Sequence, residues 1–186
     1  MPIYALGSER ARIHPDAFVH PDAVIIGEVP LGAEASVWPS AVIRADNGPI
    51  YVGARTSIQD GAVLHRRPQE PTIVGDDCVI GHLAHLEGCV IEDVVMVGSG
   101  STVLHDVVCR RVSLVAAGAV VRPGTELPSG AMALGVPAQI RPDTVTADMV
   151  LPNVGGYLHH INQHRGSMQV VAVEECITEE VGHGRS

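Results

Sequence analysis

The stretch IGHLAHLEG at residues 80–88 brings His82, His85 and Glu87 together, and His65 stands upstream in GAVLH. Neutral imidazole nitrogen and carboxylate oxygen are donors that zinc and iron(II) take, and a catalytic centre uses about three of them and leaves a position open. These residue types point to a metal centre. Three readings of the spacing stay open: Glu87 completes a set with the histidines, His85 completes it instead, or the stretch is scaffold without an ion. The choice depends on which side chains share a corner of the fold.

An aliphatic residue recurs every sixth position at Ile13, Val19, Ile25, Leu31, Val37 and Ile43. After a short insertion the beat resumes at Val52, Ile58 and Leu64, and after RRPQEP at Val74, Ile80 and Leu86. One residue is then dropped, and Ile91, Val97, Val103, Cys109, Val115, Val121, Leu127 and Ala133 complete the run. A period of six fits neither a helix nor a long alternating strand. It fits short strands joined by tight corners, three hexads to a triangular turn, each coil burying its aliphatics on the next. The fold class expected is an all-β solenoid over 1–140. A C-terminal helical segment over 141–166 follows, interrupted at Pro152 and Gly155-Gly156, and then a flexible acidic tail over 167–186.

The beat places the candidates. His65 follows Leu64 by one position and Glu87 follows Leu86 by one, three hexads later. The two therefore stack on adjacent coils, about 4.8 Å apart. His82 belongs to the preceding corner, roughly 16 Å from Glu87 at the rise of an extended chain, and shares no ion with His65 inside one chain. A second copy packed alongside brings its own His82 to the first copy's His65. Repeated by closed symmetry, that predicts a ring, most simply a homotrimer. His85, just before Leu86, leaves the coil near the same interface.

Bulk properties narrow the partners. Twelve Lys and Arg against 21 Asp and Glu give a net charge of −9, which disfavours nucleic acid and anionic membrane surfaces. The start, MPIYALGSERARIHP, lacks a basic segment followed by an apolar one, and no run approaches the ~20 apolar residues of a membrane span. A cytoplasmic protein with a small-molecule substrate is expected. Cys78, Cys89, Cys109 and Cys176 form no CxxC pair and read as free thiols in a reducing compartment.

ASVWPSAVIRADNGPIYVGARTSIQDGAVLH, residues 35–65, together with IGHLAHLEGC, resembles the γ-class carbonic anhydrase family of hexapeptide-repeat proteins. The resemblance implies a left-handed parallel β-helix with a C-terminal α-helix packed alongside. It implies a homotrimer with Zn2+ at each interface, Fe2+ or Co2+ being alternatives, and metal-bound hydroxide attacking CO2 to give bicarbonate. The metal ligands it implies are His65, His82 from the neighbour, and the residue at position 87. Glu87 departs from the family's third histidine. Three imidazoles leave zinc its full charge and bring its water to a pKa of ~7, whereas a carboxylate partly neutralises the ion and weakens that effect. Two histidines and one glutamate still form a catalytic zinc set elsewhere and suit iron(II).

The resemblance also gives Gln59 a contact to the metal-bound hydroxide, an ordinary corner amide being the plainer reading. It gives Arg44, Asp46 and Asp60 an inter-subunit ion-pair network, against which stand plain surface pairs worth ~0–1 kcal/mol. Asn47 stands where some relatives carry a proton-transferring acid, a role an amide cannot fill. Trp38 is expected at a corner or subunit contact, and Tyr157 is a secondary candidate to line the pocket. His14, His20, His105, His159, His160, His164 and His183 read mostly as surface residues. Other functions on such a scaffold are an acyl-CoA thioesterase or acyltransferase, and a non-catalytic metal- or ligand-binding trimer, since fold alone does not choose.

Overall fold

The hexad beat is realised as three sheets of seven, seven and eight strands, parallel except for the strand Gln139–Arg141, and before that strand consecutive strands of the chain fall on different sheets. The structure, a computed structural model, describes residues 2–176. Ile25, Ile43, Leu64, Leu86, Val103 and Val121 sit in register on one face. Leu31, Val52, Val74, Ile91, Cys109 and Leu127 form the second column, and Val37, Ile58, Ile80, Val97, Val115 and Ala133 the third. All are buried in one continuous core. The result is a left-handed parallel β-helix of about seven turns with one C-terminal helix. Each aliphatic touches its equivalents on the coils above and below, so truncating one, such as Leu64→Ala, costs about 2–5 kcal/mol at both coil junctions it spans.

Strands are only two to four residues long because the chain must turn at each corner. Gly61 (φ +67°) and Leu83 (φ +59°) stack at one of these corners on successive coils. A Cβ added at Gly61 would come within 2.7 Å of Leu83 Cδ2, the tip of an exposed side chain that can swing aside, so it is the left-handed φ more than the space that favours glycine there. This is the corner that presents His82.

The strand Gln139–Arg141 folds back antiparallel on Met132–Leu134 and ends the stack. After a 3-10 turn, Ala147–Met149, helix α1 spans Leu151–Ser167 and lies against the third face. Val150 and Val154 pack on Val79 and Val94, and Ile161 packs on Phe18 and Trp38. Arg165 donates to the carbonyls of Asp16 and Ala17 and fastens the end of the helix.

One expectation is corrected here. Helix α1 runs unbroken through Pro152 and Gly155-Gly156. Proline falls at its second residue, where the missing N–H has no helical acceptor to lose, and packing against the solenoid offsets the propensity cost of the glycines. Trp38 lies at a corner, between the strand Ser36–Val37 and the turn at 39–40, and is buried there beneath α1, its ring 5.2 Å from Phe18, 5.5 Å from Tyr157 and 5.0 Å from His164. Its Nε1–H donates to the hydroxyls of Ser36 and Ser57, each at 3.0 Å.

His20, His105 and His164 are half-buried, whereas His14, His159 and His160 are exposed. A short helix, α2, spans Val173–Cys176. His183 and the part of the expected tail from residue 177 on lie outside the described residues. Cys78, Cys89 and Cys109 are buried free thiols, and burial pushes Cys78 and Cys109 up to about 12. Among the described residues no helix is long and apolar enough to cross a membrane.

Candidate metal centre

His65 ends the strand Val63–His65 and Glu87 ends His85–Glu87, and the two strands pair in register with His65 opposite Glu87. Leu64 and Leu86 point inward, so alternation turns their neighbours outward onto one surface. Nδ1 of His65 lies 3.2 Å from Oε1 of Glu87. On the coil below, Arg44 is opposite His65. Two residues further, Asp46 turns back so that its Oδ1 is 3.0 Å from His65 Nε2. Arg44 in turn pairs with Asp46, and the Asn47 amide donates to Asp46 and to the carbonyl of Arg66. His65 therefore has a carboxylate at each ring nitrogen.

The carboxylates register this arrangement. Burial raises both Asp46 and Glu87, but hydrogen bonding and charge outweigh it and leave both below the usual carboxylate range. For Asp46 the opposing groups are His65 and Arg44; for Glu87 they are His65, His85 and Arg67. His85 shares the surface, its Nε2 3.8 Å from Glu87 Oε2, and so touches the cluster through the carboxylate.

His82 stands apart, at the corner between Val79–Ile80 and His85–Glu87. Its Nδ1 is 3.0 Å from Asp60 Oδ2, and its Nε2 is 3.4 Å from the Tyr157 hydroxyl on α1. A carboxylate on Nδ1 fixes that nitrogen as the proton donor and leaves the Nε2 lone pair for an acceptor role, the arrangement that outer carboxylates impose on metal-ligating histidines. Burial, and then the charge of Asp60, holds the Tyr157 phenol in its neutral form by raising its pKa. Leu83, next along the chain, is 72% exposed.

The structure thus brings His65, Glu87, His85, Arg44 and Asp46 into one cluster and gathers His82, Asp60, Gln59 and Tyr157 into another. Within the chain Asp60 pairs with His82, not with Arg44. Among the described residues no group of three or more His, Cys, Asp or Glu is placed to hold an ion. The donor types still suit a divalent cation: two facing side chains with nitrogen and oxygen donors on one surface, and an imidazole whose tautomer is already set on the other. Sequence reasoning missed Asp46 as a partner of His65 and Asp60 as a partner of His82. Register supplies the signal for both, since positions 44 and 65 are paired, and Asp60 lies one coil below His82 at the same corner.

No family model matches the chain. It is 41% identical over 133 residues, 68% of its length, to gamma carbonic anhydrase 1, mitochondrial, of Arabidopsis thaliana, and spans 48% of that protein. It is 39% identical over 139 residues to the carnitine operon protein CaiE of Escherichia coli K12, covering 75% of this chain and 71% of that one. A solved structure of a putative acetyltransferase from Bacillus cereus superposes with a TM-score of 0.85 at 29% identity, covering 88% of this chain and 96% of the other. The chain spans about half the length of the curated carbonic anhydrase it matches.

Proposed function

Since the chain belongs to the γ carbonic anhydrase family of hexapeptide-repeat proteins, we propose that it is a metal-dependent lyase that interconverts CO2 and bicarbonate. His65 and Glu87 of one copy, with His82 of a neighbouring copy, hold the ion at the interface of a homotrimer. When bound, Zn2+, or Fe2+ or Co2+ in its place, supplies a Lewis acid that makes water acidic enough to deliver hydroxide near neutral pH. The observation that carries the reading is the in-register pair His65 and Glu87, 3.2 Å apart, set against a His82 that Asp60 orients at another corner.

The chain's own residues divide the work. Asp60 accepts from Nδ1 of His82 and keeps Nε2 directed outward. Arg44 pairs with Asp46, the carboxylate that occupies His65 Nε2 until an ion displaces it. Gln59, beside His82, positions the reacting molecule from the pocket side. Side-by-side packing of copies is supported by Leu83 on the corner and by half-buried Val24, Val42, Val63 and Val120 on the face that bears His65.

The test is Glu87→His in metal-loaded protein. CO2 hydration rises by about tenfold, the order of effect of one ligand-sphere change. No hydration in either form overturns the reading. A second reading, acyl transfer or acyl-CoA thioester hydrolysis, is favoured by the likeness to the putative acetyltransferase. A panel of acyl-CoA thioesters showing neither turnover nor binding removes it.

A further inference from the structure

Between α1 and the His82 corner lies a pocket of about 270 Å3, walled on the solenoid side by Gln59, Val79 and Met96 and on the helix side by Asn153 and Tyr157. Gln59 and Val79 are 5% and 3% exposed. Along the strand Val79–Ile80, Ile80 enters the coil and Val79 turns outward against α1.

The two halves of α1 are fastened unequally. The second half sets Ile161 on Phe18 and Trp38, brings the His164 ring to 5.0 Å from Trp38, and bonds Arg165 to two solenoid carbonyls. His164 and Arg165 also place basic groups in the last turn, which suits the negative end of a helix dipole. The first half is weaker. Its N-cap is Val150, without a side-chain cap, and its first turn carries no acid. The buried residues of 147–156 are Val150 and Val154, packed on Val79 and Val94.

Between the halves stand Gly155 and Gly156. Among the described residues a Cβ at either would meet nothing within 4 Å, and neither has a positive φ. Neither packing nor backbone conformation calls for glycine, and alanine would favour the helix by about four- to fivefold per residue. What two adjacent glycines supply is backbone freedom, at the junction of a firmly docked segment with a weakly docked one. Segments with few buried contacts are the ones that open locally, and such junctions serve as hinges.

We propose that residues 147–156 form a lid that lifts from the solenoid about Gly155 and Gly156 while the rest of α1 stays docked, and that lifting uncovers Gln59 and Val79. That CO2 and bicarbonate pass through the widened pocket rests on the lyase reading above; the lifting does not.

The experiment is hydrogen–deuterium exchange on the purified full-chain oligomer, read as protection factors along α1. Amides 155–158 are protected at least tenfold less than amides 162–164. Gly155→Ala/Gly156→Ala raises protection of the first set about 20-fold, the two per-residue factors multiplied, and leaves the second set within about threefold. Equal protection of the two sets, or an equal gain in both, shows a helix that opens as one unit and overturns the proposal. Dissociation of the oligomer by the alanine pair overturns it too, since the glycines would then serve a subunit contact.

A thiol reads the uncovering itself. In a Cys176→Ser background, Val79→Cys reacts with iodoacetamide through the lifted lid, and the alanine pair slows the reaction about 20-fold. Cys78, buried inside the coil, is the unlabelled control. Reaction at one rate with and without the alanine pair overturns the proposal; should Val79→Cys fail to fold, the exchange comparison decides alone. A lifting lid without CO2 hydration in metal-loaded protein leaves the lid standing and removes the lyase reading. Hydration by a chain whose α1 opens as one unit does the reverse.

Discussion

His65 and His82 lie on neighbouring coils of one solenoid and are built into their surroundings in opposite ways. His65 is held between two carboxylates, Asp46 and Glu87, with its side chain 16% exposed. His82 is 48% exposed and has a carboxylate on one nitrogen only, a phenol standing at the other. The first histidine is a structural member of an ion-pair cluster, and a cation arriving there must displace Asp46 or compete with the His65–Glu87 contact. The second is already set as a ligand, its tautomer fixed and its remaining lone pair met only by the long 3.4 Å contact from Tyr157. One imidazole therefore contributes to stability before any ion is present, and the other contributes little.

The largest expected effect separates them at once. His65→Leu and His82→Ala both remove bound metal, as read by elemental analysis. Only His65→Leu also costs about 1–3 kcal/mol in urea unfolding of chelated protein, because Asp46 and Glu87 lose a shared partner. His82→Ala stays within ~1 kcal/mol, as for an exposed pair. Equal losses of stability would erase the contrast.

Next in size, Asp60→Asn weakens metal binding about 10–100-fold by releasing the orientation of His82. Asp46→Asn does not weaken it, since it removes a competitor for His65. Competition titration with a chromophoric chelator checks both.

Acid comes third. Asp46 and Glu87 are lowered in the folded chain, so between the folded and unfolded values the unfolded chain binds more protons, and stability rises with pH there. The stabilisation is complete above the ordinary carboxylate values of 3.8 and 4.5 and is lost as pH falls through the lower folded ones. Unfolding midpoints of chelated protein are flat from pH 7 to about 5 and then fall; His65→Leu flattens the descent. The smallest effect is Tyr157→Phe, which changes metal affinity less than threefold by the same titration, a 3.4 Å contact being worth less than a full hydrogen bond.

Much of the fold was legible because the hexad beat is a direct image of burial: Leu64 and Leu86 mark positions that must face inward, and their registry follows from counting sixes. The pairing of His65 with Glu87 was legible for the same reason. The burial of Trp38 was not, because it comes from α1, which arrives more than a hundred residues later in the chain and obeys no hexad. Pro152 was misread because its effect depends on where the helix starts. Counting puts Asp60 level with His82 and position 44 level with His65, but whether the side chains then touch depends on which way each bends after leaving the strand.

The sequence by itself determined the solenoid, its three inward columns and the alignment of positions 65 and 87, since a period of six leaves few ways to bury aliphatics. Only the tertiary structure decided which polar groups meet. Outward-facing side chains are constrained by no period and settle according to charge, corner geometry and the helix laid over them.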